Sequence, residues 1–189
     1  PRTTRSSIIS STPPLESGEL SVEIVIIAAV SSNNVIGREG SLPWHYPVDM
    51  KHFRHTTGKH PILAGRKTFE SFPRRPLPNR TNLILTRNAI YDAPQGVVVC
   101  RDIEEIRNYC KKEGAEKLFI LGGAEIYRLT LPIADEMVLT HIPKEVEGDT
   151  CFPEWNRTEW KEIDRREEEG LIFATYRRIG EKAFTLPAA

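Results

Sequence analysis

A single carboxylate, Asp49, stands among apolar and basic residues in the segment 48–54, a few positions after Leu42-Pro43-Trp44. In a helix, Asp49 and Phe53 share one face because they are four residues apart, and that face should point inward. A buried carboxylate needs a partner, and a ligand carrying an N–C–N unit would pair with both of its oxygens as a guanidinium does. Composition alone favours a simpler interpretation, a solvated acid near the N-terminal end of the helix dipole.

Two strand-to-helix turns have the composition of anion-binding sites. Gly122-Gly123 lacks side chains, so the backbone can approach a ligand, and the following helix offers free N–H groups to a phosphate. Gly65-Arg66-Lys67-Thr68 places two cations at a helix start, where they oppose the dipole unless an anion is bound. Together with Arg87, these cations would suit the 2′-phosphate of NADPH. Spacing alone favours the simpler interpretation that the three cations are solvated, and it does not decide whether the Gly-Gly turn binds a ligand. That turn does not match the dinucleotide-binding pattern GxGxxG.

Composition limits the class of protein to which these residues belong. The 189 residues suit one domain, and the 26 basic side chains balance the 26 acidic ones, so no net field attracts nucleic acid or an acidic membrane. Three scattered cysteines predict neither a disulfide framework nor a zinc site, and they favour a reducing compartment. His52 and His55 have no second type of metal ligand nearby, so no metal is expected. The longest apolar run, 24–30, is too short to span a bilayer.

Hydrophobic periodicity predicts the elements that must position these groups. Helices are expected at residues 47–57, ended by Gly58, at 65–70, at 102–112, with Asp102 and Glu105 forming a capping box, and at 124–130. Strands are expected at residues 23–31, 61–64, 81–86, 97–100, 117–121 and 136–142, the last with alternating character. Residues 160–166 and 171–179 should form a hairpin around an acidic turn at 167–170.

This order of elements predicts an α/β fold. We expect a central, mostly parallel sheet of about eight strands, with an antiparallel C-terminal edge hairpin and helices on both faces. Ligands in such sheets bind beyond the carboxyl ends of the strands, which is where both glycine turns fall. Residues 22–180 should form the domain, residues 181–189 a tail, and residues 1–21 a disordered extension rather than the remnant of a transit segment.

Taken in order along residues 22–180, these motifs resemble dihydrofolate reductase. The resemblance rests on residues 26–30 with 34–37, and on Leu42-Pro43-Trp44 followed by Pro47-Val48-Asp49. It continues through segments 65–71, 76–80, 122–127, 140–142, 147–150 and 152–153. The loop 73–76 has a different length from the bacterial form, so it stays open whether Arg74 or Arg75 faces the folate tail.

The resemblance implies a set of site residues. The catalytic group would be Asp49, Trp44, Thr140 and Leu42, with Thr140 bonded to Asp49, Trp44 holding a water, and Leu42 on the loop that closes over the nicotinamide. Dihydrofolate would be contacted by Ile27, Asp49, Met50, Phe53, Phe72, Arg74, Arg75, Leu77, Arg80, Leu121 and Thr140. NADPH would be contacted by Ala29, Val35, Ile36, Gly37, Arg38, Glu39, Gly40, Ser41, Arg66, Lys67, Thr68, Thr86, Arg87, Arg101, Gly122, Gly123, Ala124, Glu125, Ile126 and Tyr127.

The implied reaction is hydride transfer from C4 of NADPH to C6 of dihydrofolate, with protonation at N5 by water rather than directly by Asp49. Residues 33–41 would form a lid, and antifolates would bind as inhibitors. A cytoplasmic monomer is expected, or a mitochondrial protein if the extension is a transit remnant. Two alternatives stay open: the pyrimidine reductase of riboflavin synthesis, against which Trp44, Asp49 and Thr140 argue, and a nucleotide-binding protein without catalysis.

Overall fold

The computed structural model describes residues 21–182, which build one eight-stranded sheet and a separate two-stranded ribbon. The expectations for residues 1–20 and 183–189 lie outside the described part of the chain. The strands are β1 (Glu23–Ser31), β2 (Val35–Gly37), β3 (Ile62–Gly65), β4 (Asn82–Leu85), β5 (Val97–Cys100), β6 (Lys117–Ile120), β7 (Glu136–Ile142), β8 (Thr150–Cys151), β9 (Trp160–Glu168) and β10 (Leu171–Arg178). The helices are α1 (Pro47–Thr57), α2 (Arg66–Glu70), α3 (Ile103–Lys112) and α4 (Ala124–Thr130).

The order of strands in the large sheet is β5-β4-β3-β6-β1-β7-β10-β9. All neighbours from β5 to β7 run parallel, whereas β10 is antiparallel to β7 and to β9. The mostly parallel sheet with an antiparallel edge hairpin is therefore confirmed. The ribbon of β2 and β8 was not anticipated, because three-residue and two-residue strands have too little periodicity to be recognised.

Alternate residues of β1 pack into different cores, because successive side chains of a strand point to opposite faces. Ile24 and Ile26 join the core that contains Ile106 of α3 and Ile126 of α4. Val25 and Ile27 join the core against which Phe53 of α1 packs. Helices thus cover both faces of the sheet, and α1 lies on the face opposite to α3 and α4.

Local sequence explains where α1 and α3 begin and end. Pro47 occupies the first turn of α1, and Gly58 ends it with a φ of 49°, a conformation that favours glycine. At α3, Asp102 accepts a hydrogen bond of 2.8 Å from the Glu105 N–H, as predicted. The reciprocal bond of the predicted capping box is shifted, because Glu105 accepts from the N–H of Arg101 rather than from that of Asp102.

Two predictions about the C-terminal half were wrong. β7 does not alternate, because it lies between β1 and β10 with both faces covered, and only His141 is less than fully buried. The acidic run is not all turn, because Glu167 and Glu168 pair with β10 inside β9. The loop is only Glu169 and Gly170, both with positive φ, as a tight two-residue hairpin requires.

A cleft opens where β1 and β6 separate. β6 pairs with β1 only as far as Ile26 opposite Ile120, whereas β7 follows β1 to Ser31. Beyond Ile120 the chain turns away at Gly122, whose carbonyl accepts a hydrogen bond of 2.7 Å from the Gly65 N–H. The two glycine turns therefore meet at the carboxyl ends of their strands, at the position expected for a ligand site.

Candidate active site

The cleft has a volume of about 1750 Å³. A small-molecule site usually measures about 300–1,000 Å³, so this cleft has room for two ligands. It is lined by the following predicted site residues: Ile27, Ala29, Ile36, Gly37, Gly40, Ser41, Leu42, Trp44, Asp49, Met50, Phe53, Arg66, Lys67, Thr68, Phe72, Leu77, Thr86, Arg87, Arg101, Leu121, Gly123, Ala124, Glu125, Ile126, Tyr127 and Thr140.

Several predicted site residues do not line the cleft: Val35, Arg38, Glu39, Arg74, Arg75, Arg80 and Gly122. The carbonyl of Gly122 instead accepts a hydrogen bond from Gly65, which lines the cleft. The first three residues belong to the loop 33–41, which was expected to form a lid. Sequence reasoning named no role for other residues on the wall, notably His45, Tyr46, His52, Ser71, Pro73, Asn88, Arg128 and Asp149.

Asp49 projects from the first turn of α1 and is hydrogen-bonded to the side chain of Thr140 on β7. Thr140 is itself 2% exposed, between Ala29 of β1 and Phe173 of β10. Burial raises the pKa of Asp49, and the Thr140 hydrogen bond opposes that rise. Asp49 is half-buried, so it is not the fully solvated acid of the simpler interpretation, and within residues 21–182 no cation pairs with it.

Two buried nitrogens on the cleft wall have no hydrogen-bond partner among the described residues. They are Nε1 of Trp44 and Nε2 of His52, and both side chains line the cleft. Buried polar atoms in folded proteins are rarely left unpaired, so such atoms on a cleft wall suit contact with a ligand or an ordered water. Trp44 is held by its packing against the cluster around Val48 and Phe173.

An apolar wall continues from Asp49 along the cleft. Phe53, Leu77 and Leu121 pack against the core formed by residues of β1, β3, β6 and β7. Phe72 stacks edge-on against Phe69, with ring centroids 5.9 Å apart. A flat, apolar ligand can therefore place a polar edge on Asp49 and bury its rings against these side chains.

The three arginines expected at the folate tail differ in their contacts. Arg75 donates to the backbone carbonyls of Glu70 and Phe72, at the end of α2. Arg80 donates to the hydroxyl of Thr57, which in turn donates to the Phe53 carbonyl at 2.8 Å. Arg74 is exposed and has no ion-pair partner within residues 21–182. Of the two neighbouring arginines, Arg74 is thus the one with a free guanidinium.

The Gly122 turn is built around Tyr127. The phenol of Tyr127 donates a hydrogen bond of 2.7 Å to the Ile27 carbonyl, and burial raises its pKa. Gly122 has a φ of 94°, and a Cβ on it would lie 2.6 Å from the tyrosine ring. The helix after Gly123 has no side-chain cap, which leaves the first N–H groups of α4 free for a ligand.

The cations near this turn are not equivalent. Arg66 forms an ion pair of 3.0 Å with Glu70, one turn further along α2. Lys67, Arg87 and Arg101 have no acidic partner within residues 21–182, and all three line the cleft. A bound anion would therefore find Lys67 and Arg87 free, whereas Arg66 would have to share its charge with Glu70.

The loop 33–41, the expected lid, is anchored by Asp149, from the loop before β8. Its carboxylate accepts a hydrogen bond of 2.7 Å from the Glu39 N–H, and its own N–H donates to the Gly37 carbonyl at 3.1 Å. Gly148 is required beside it, because a Cβ there would lie 2.2 Å from Cγ1 of Val35. These contacts join segments about 110 residues apart, so local sequence could not reveal them.

We expect Asp149→Ala to loosen the loop 33–41 and lower kcat/KM several-fold, with a small fall in the midpoint of thermal unfolding from the two lost hydrogen bonds. The hydrogen bonds from Glu39 and Thr150 lower the pKa of Asp149, so the ionised anchor persists at neutral pH and is lost only in acid, below its usual value of 3.8. The matched control is Glu147→Gln, which removes the exposed 3.4 Å pair with Arg38. Equal activity of the two variants at pH 7 would contradict the anchoring role.

The fold and the cleft define an α/β protein whose sheet opens at the carboxyl ends of its strands into a site for a nucleotide and a second ligand. A family model described as dihydrofolate reductase matches residues 23–177. The chain belongs to the dihydrofolate reductase family. The resemblance predicted from the order of its motifs is confirmed.

Individual relatives agree with this assignment. A dihydrofolate reductase of Haloferax volcanii is 41% identical over 168 residues, which cover 85% of this chain and 86% of the relative. One of Neisseria gonorrhoeae is 42% identical over 165 residues, 85% of this chain and 99% of the relative. A solved structure of dihydrofolate reductase from Enterococcus faecalis, complexed with NADP(H) and RAB-propyl, has a TM-score of 0.76 and 37% identity, over 84% of this chain and 97% of that one.

Within residues 21–182, no helix is long and apolar enough to cross a membrane. The same residues contain no group of three or more His, Cys, Asp or Glu side chains arranged to hold a metal ion.

Proposed function

We propose that this chain reduces 7,8-dihydrofolate to 5,6,7,8-tetrahydrofolate with NADPH, by hydride transfer to pterin C6 and protonation at N5. The observation that carries the proposal is Asp49, which is half-buried in the cleft, bonded to Thr140 and without a cationic partner among the described residues. N3 and the 2-amino group of a pterin form the N–C–N unit that satisfies both oxygens of such a carboxylate. Family membership and the NADP(H) bound to the Enterococcus relative support the same reaction.

The chain's own residues orient the substrate and exclude water. Asp49 holds the pterin edge and makes N5 more basic through its negative charge, and the proton comes from a water near Trp44. Leu42, which is 52% exposed, stands at the cleft mouth, where the lid can carry it over the reacting atoms. The cofactor supplies the hydride from its nicotinamide C4.

Lys67 and Arg87 are the residues that select NADPH over NADH. We expect Lys67→Gln and Arg87→Gln each to lower the ratio of kcat/KM for NADPH to that for NADH by about tenfold, because each loses a charged contact to the 2′-phosphate. Arg107→Gln, on the exposed face of α3, should leave the ratio unchanged. Equal kcat/KM for the two cofactors in the unmodified protein, measured in one buffer, would reject this selection.

The reaction is tested by following NADPH oxidation with and without dihydrofolate, and by titrating the active protein with methotrexate. Dihydrofolate-dependent oxidation that methotrexate abolishes is the expected result. Tight NADPH binding without such oxidation would instead identify a nucleotide-binding protein. Turnover of a pyrimidine substrate in place of dihydrofolate would identify the riboflavin-pathway reductase.

We also infer that residues 22–180 form the reductase domain and that it works as a cytoplasmic monomer. The three cysteines are free, which suits a reducing compartment. The outer strand β9 is covered with charged side chains, which disfavours pairing with a second sheet. Light scattering at micromolar concentration should give the mass of one chain, and a mass of two chains would contradict the inference.

A further inference from the structure

A row of paired residues crosses the sheet beneath α1. Ala29 of β1 is paired with Thr140 of β7. Thr140 is paired with Phe173 of β10, and Phe173 with Arg166 of β9. Side chains that are directly paired across strands point to the same face of a sheet. The row therefore runs, on the side covered by α1, from the cleft to the outer strand.

Helix α1 touches this row at two places, one helical turn apart. Asp49 bonds to Thr140 at the cleft end. His52, three residues later, packs edge-on against Phe173 with ring centroids 4.6 Å apart. Arg166 lies 4.1 Å from the centre of the same phenylalanine ring, and its Nη2 is 3.2 Å from Nδ1 of His52. Because Asp49 and His52 lie on one face of one rigid helix, a shift at either contact moves the other.

The Arg166 contact selects one form of His52. A guanidinium has only donors, so Nδ1 of His52 must accept, and the proton of the neutral ring is therefore on Nε2. Arg166 is itself held by Glu168, with which it forms an ion pair along β9. The imidazole is thus held in one orientation by Arg166, which does not line the cleft, together with the Thr56 hydroxyl, which lies 3.3 Å from the same Nδ1.

We propose that Arg166 is a positioning residue for the reductase reaction. From the outer strand it holds the His52 ring in place against Phe173, and this fixes the position and rotation of α1 at which Asp49 meets Thr140 and the substrate. The proposal rests on the proposed function, because it assigns Arg166 a role in the placement of Asp49.

The charged groups around His52 determine how this role depends on pH. On α1 these groups are Asp49 and His55, on β9 they are Arg166 and Glu168, and the neighbouring strand β10 contributes the uncharged Phe173. Burial, followed by Arg166 and His55, lowers the pKa of His52 to about 4, and Glu168 opposes them. Without Arg166 that pKa rises, so His52 takes up a proton as the pH falls and places a cation one turn from Asp49. The loss in an Arg166 variant should therefore grow towards acid pH.

The test compares Arg166→Met with Arg165→Met. Arg165 precedes Arg166 on the same strand, pairs with Glu162 at 3.2 Å and forms no hydrogen bond or ion pair with α1 within the described residues. We expect Arg166→Met to raise the KM for dihydrofolate roughly tenfold at pH 7 and to leave the KM for NADPH unchanged, because only the pterin end of the site is displaced. The deficit should be larger at pH 5.5 than at pH 8. Arg166→Lys should restore part of it, and Arg165→Met should match the unmodified protein.

Two results would overturn the role of Arg166, and a third would overturn the proposed function instead. Identical behaviour of Arg166→Met and Arg165→Met at both pH values would overturn the proposal. A parallel rise of both KM values would also overturn it, because that result indicates general damage to the fold. If the unmodified protein shows no dihydrofolate-dependent oxidation of NADPH, the proposed function fails first, and that result is separate from any effect of Arg166.

Discussion

Asp49→Asn should lower kcat/KM for dihydrofolate by a factor of tens to a thousand, because the amide cannot form the ionic, two-point pair with the pterin. This factor corresponds to a loss of about 2–4 kcal/mol of transition-state stabilisation. The amide is nearly the same size as the carboxylate, so packing against Thr140 is preserved. Stopped-flow measurement of the hydride step separates this loss from a change in product release. Near-normal turnover of the Asn variant at neutral pH would contradict the role of Asp49.

Without ligands, we expect the same Asp49→Asn change to increase the free energy of unfolding, although it lowers activity. Burial raises the pKa of Asp49 above its usual value of 3.8, so the folded protein holds that proton more tightly than the unfolded chain. The free energy of unfolding of the unmodified protein therefore falls as the pH rises from 3.8 through the higher pKa of the folded state. The Asn variant has no carboxylate at this position, so its stability does not fall for this reason. Urea unfolding at pH 7.5 should show the Asn variant to be the more stable, which a merely damaged site would not produce.

Gly122→Ala should lower kcat/KM by about a hundredfold and raise the KM for NADPH. The new Cβ would lie 2.6 Å from the Tyr127 ring, so the ring must move and its 2.7 Å hydrogen bond to the Ile27 carbonyl breaks. Displacements of about 1 Å in a site can reduce rates by this order. NADPH binding, followed by quenching of tryptophan fluorescence, gives the affinity independently of turnover.

Gly96→Ala is the matched control for this collision. Gly96 has a φ of 83°, close to the 94° of Gly122, but a Cβ there meets no atom within 4 Å. Gly96→Ala should therefore lower the free energy of unfolding by about 1–2 kcal/mol, because an L-residue is strained at positive φ, and it should leave kcat/KM unchanged. If the two alanine variants lose the same activity, the contact with Tyr127 is not what makes Gly122 necessary.

The local elements of this chain were predictable because their signals are short-range. The bounds of α1 follow from Pro47 and Gly58, and those of β1 from its unbroken apolar run. The parallel sheet followed from the alternation of strands and helices. β7 was misjudged because periodicity reports burial only when one face is exposed, and this strand is covered on both faces by neighbours distant in sequence.

By itself the sequence determined the family, through the order of motifs such as Trp44, Asp49 and Thr140, and it determined which residue types could bind an N–C–N unit and an anion. Only the tertiary structure decided which of these groups are available. It places the half-buried Asp49 against Thr140, engages Arg66 with Glu70 and Arg75 with backbone carbonyls, and leaves Lys67 and Arg87 without an acidic partner among the described residues. It also brings Asp149 to the lid and Arg166 to His52. The physical reason is that a side chain's charge and exposure depend on its neighbours in space, and some of those neighbours, such as Glu39 beside Asp149 and His52 beside Arg166, lie more than 100 residues away in the sequence.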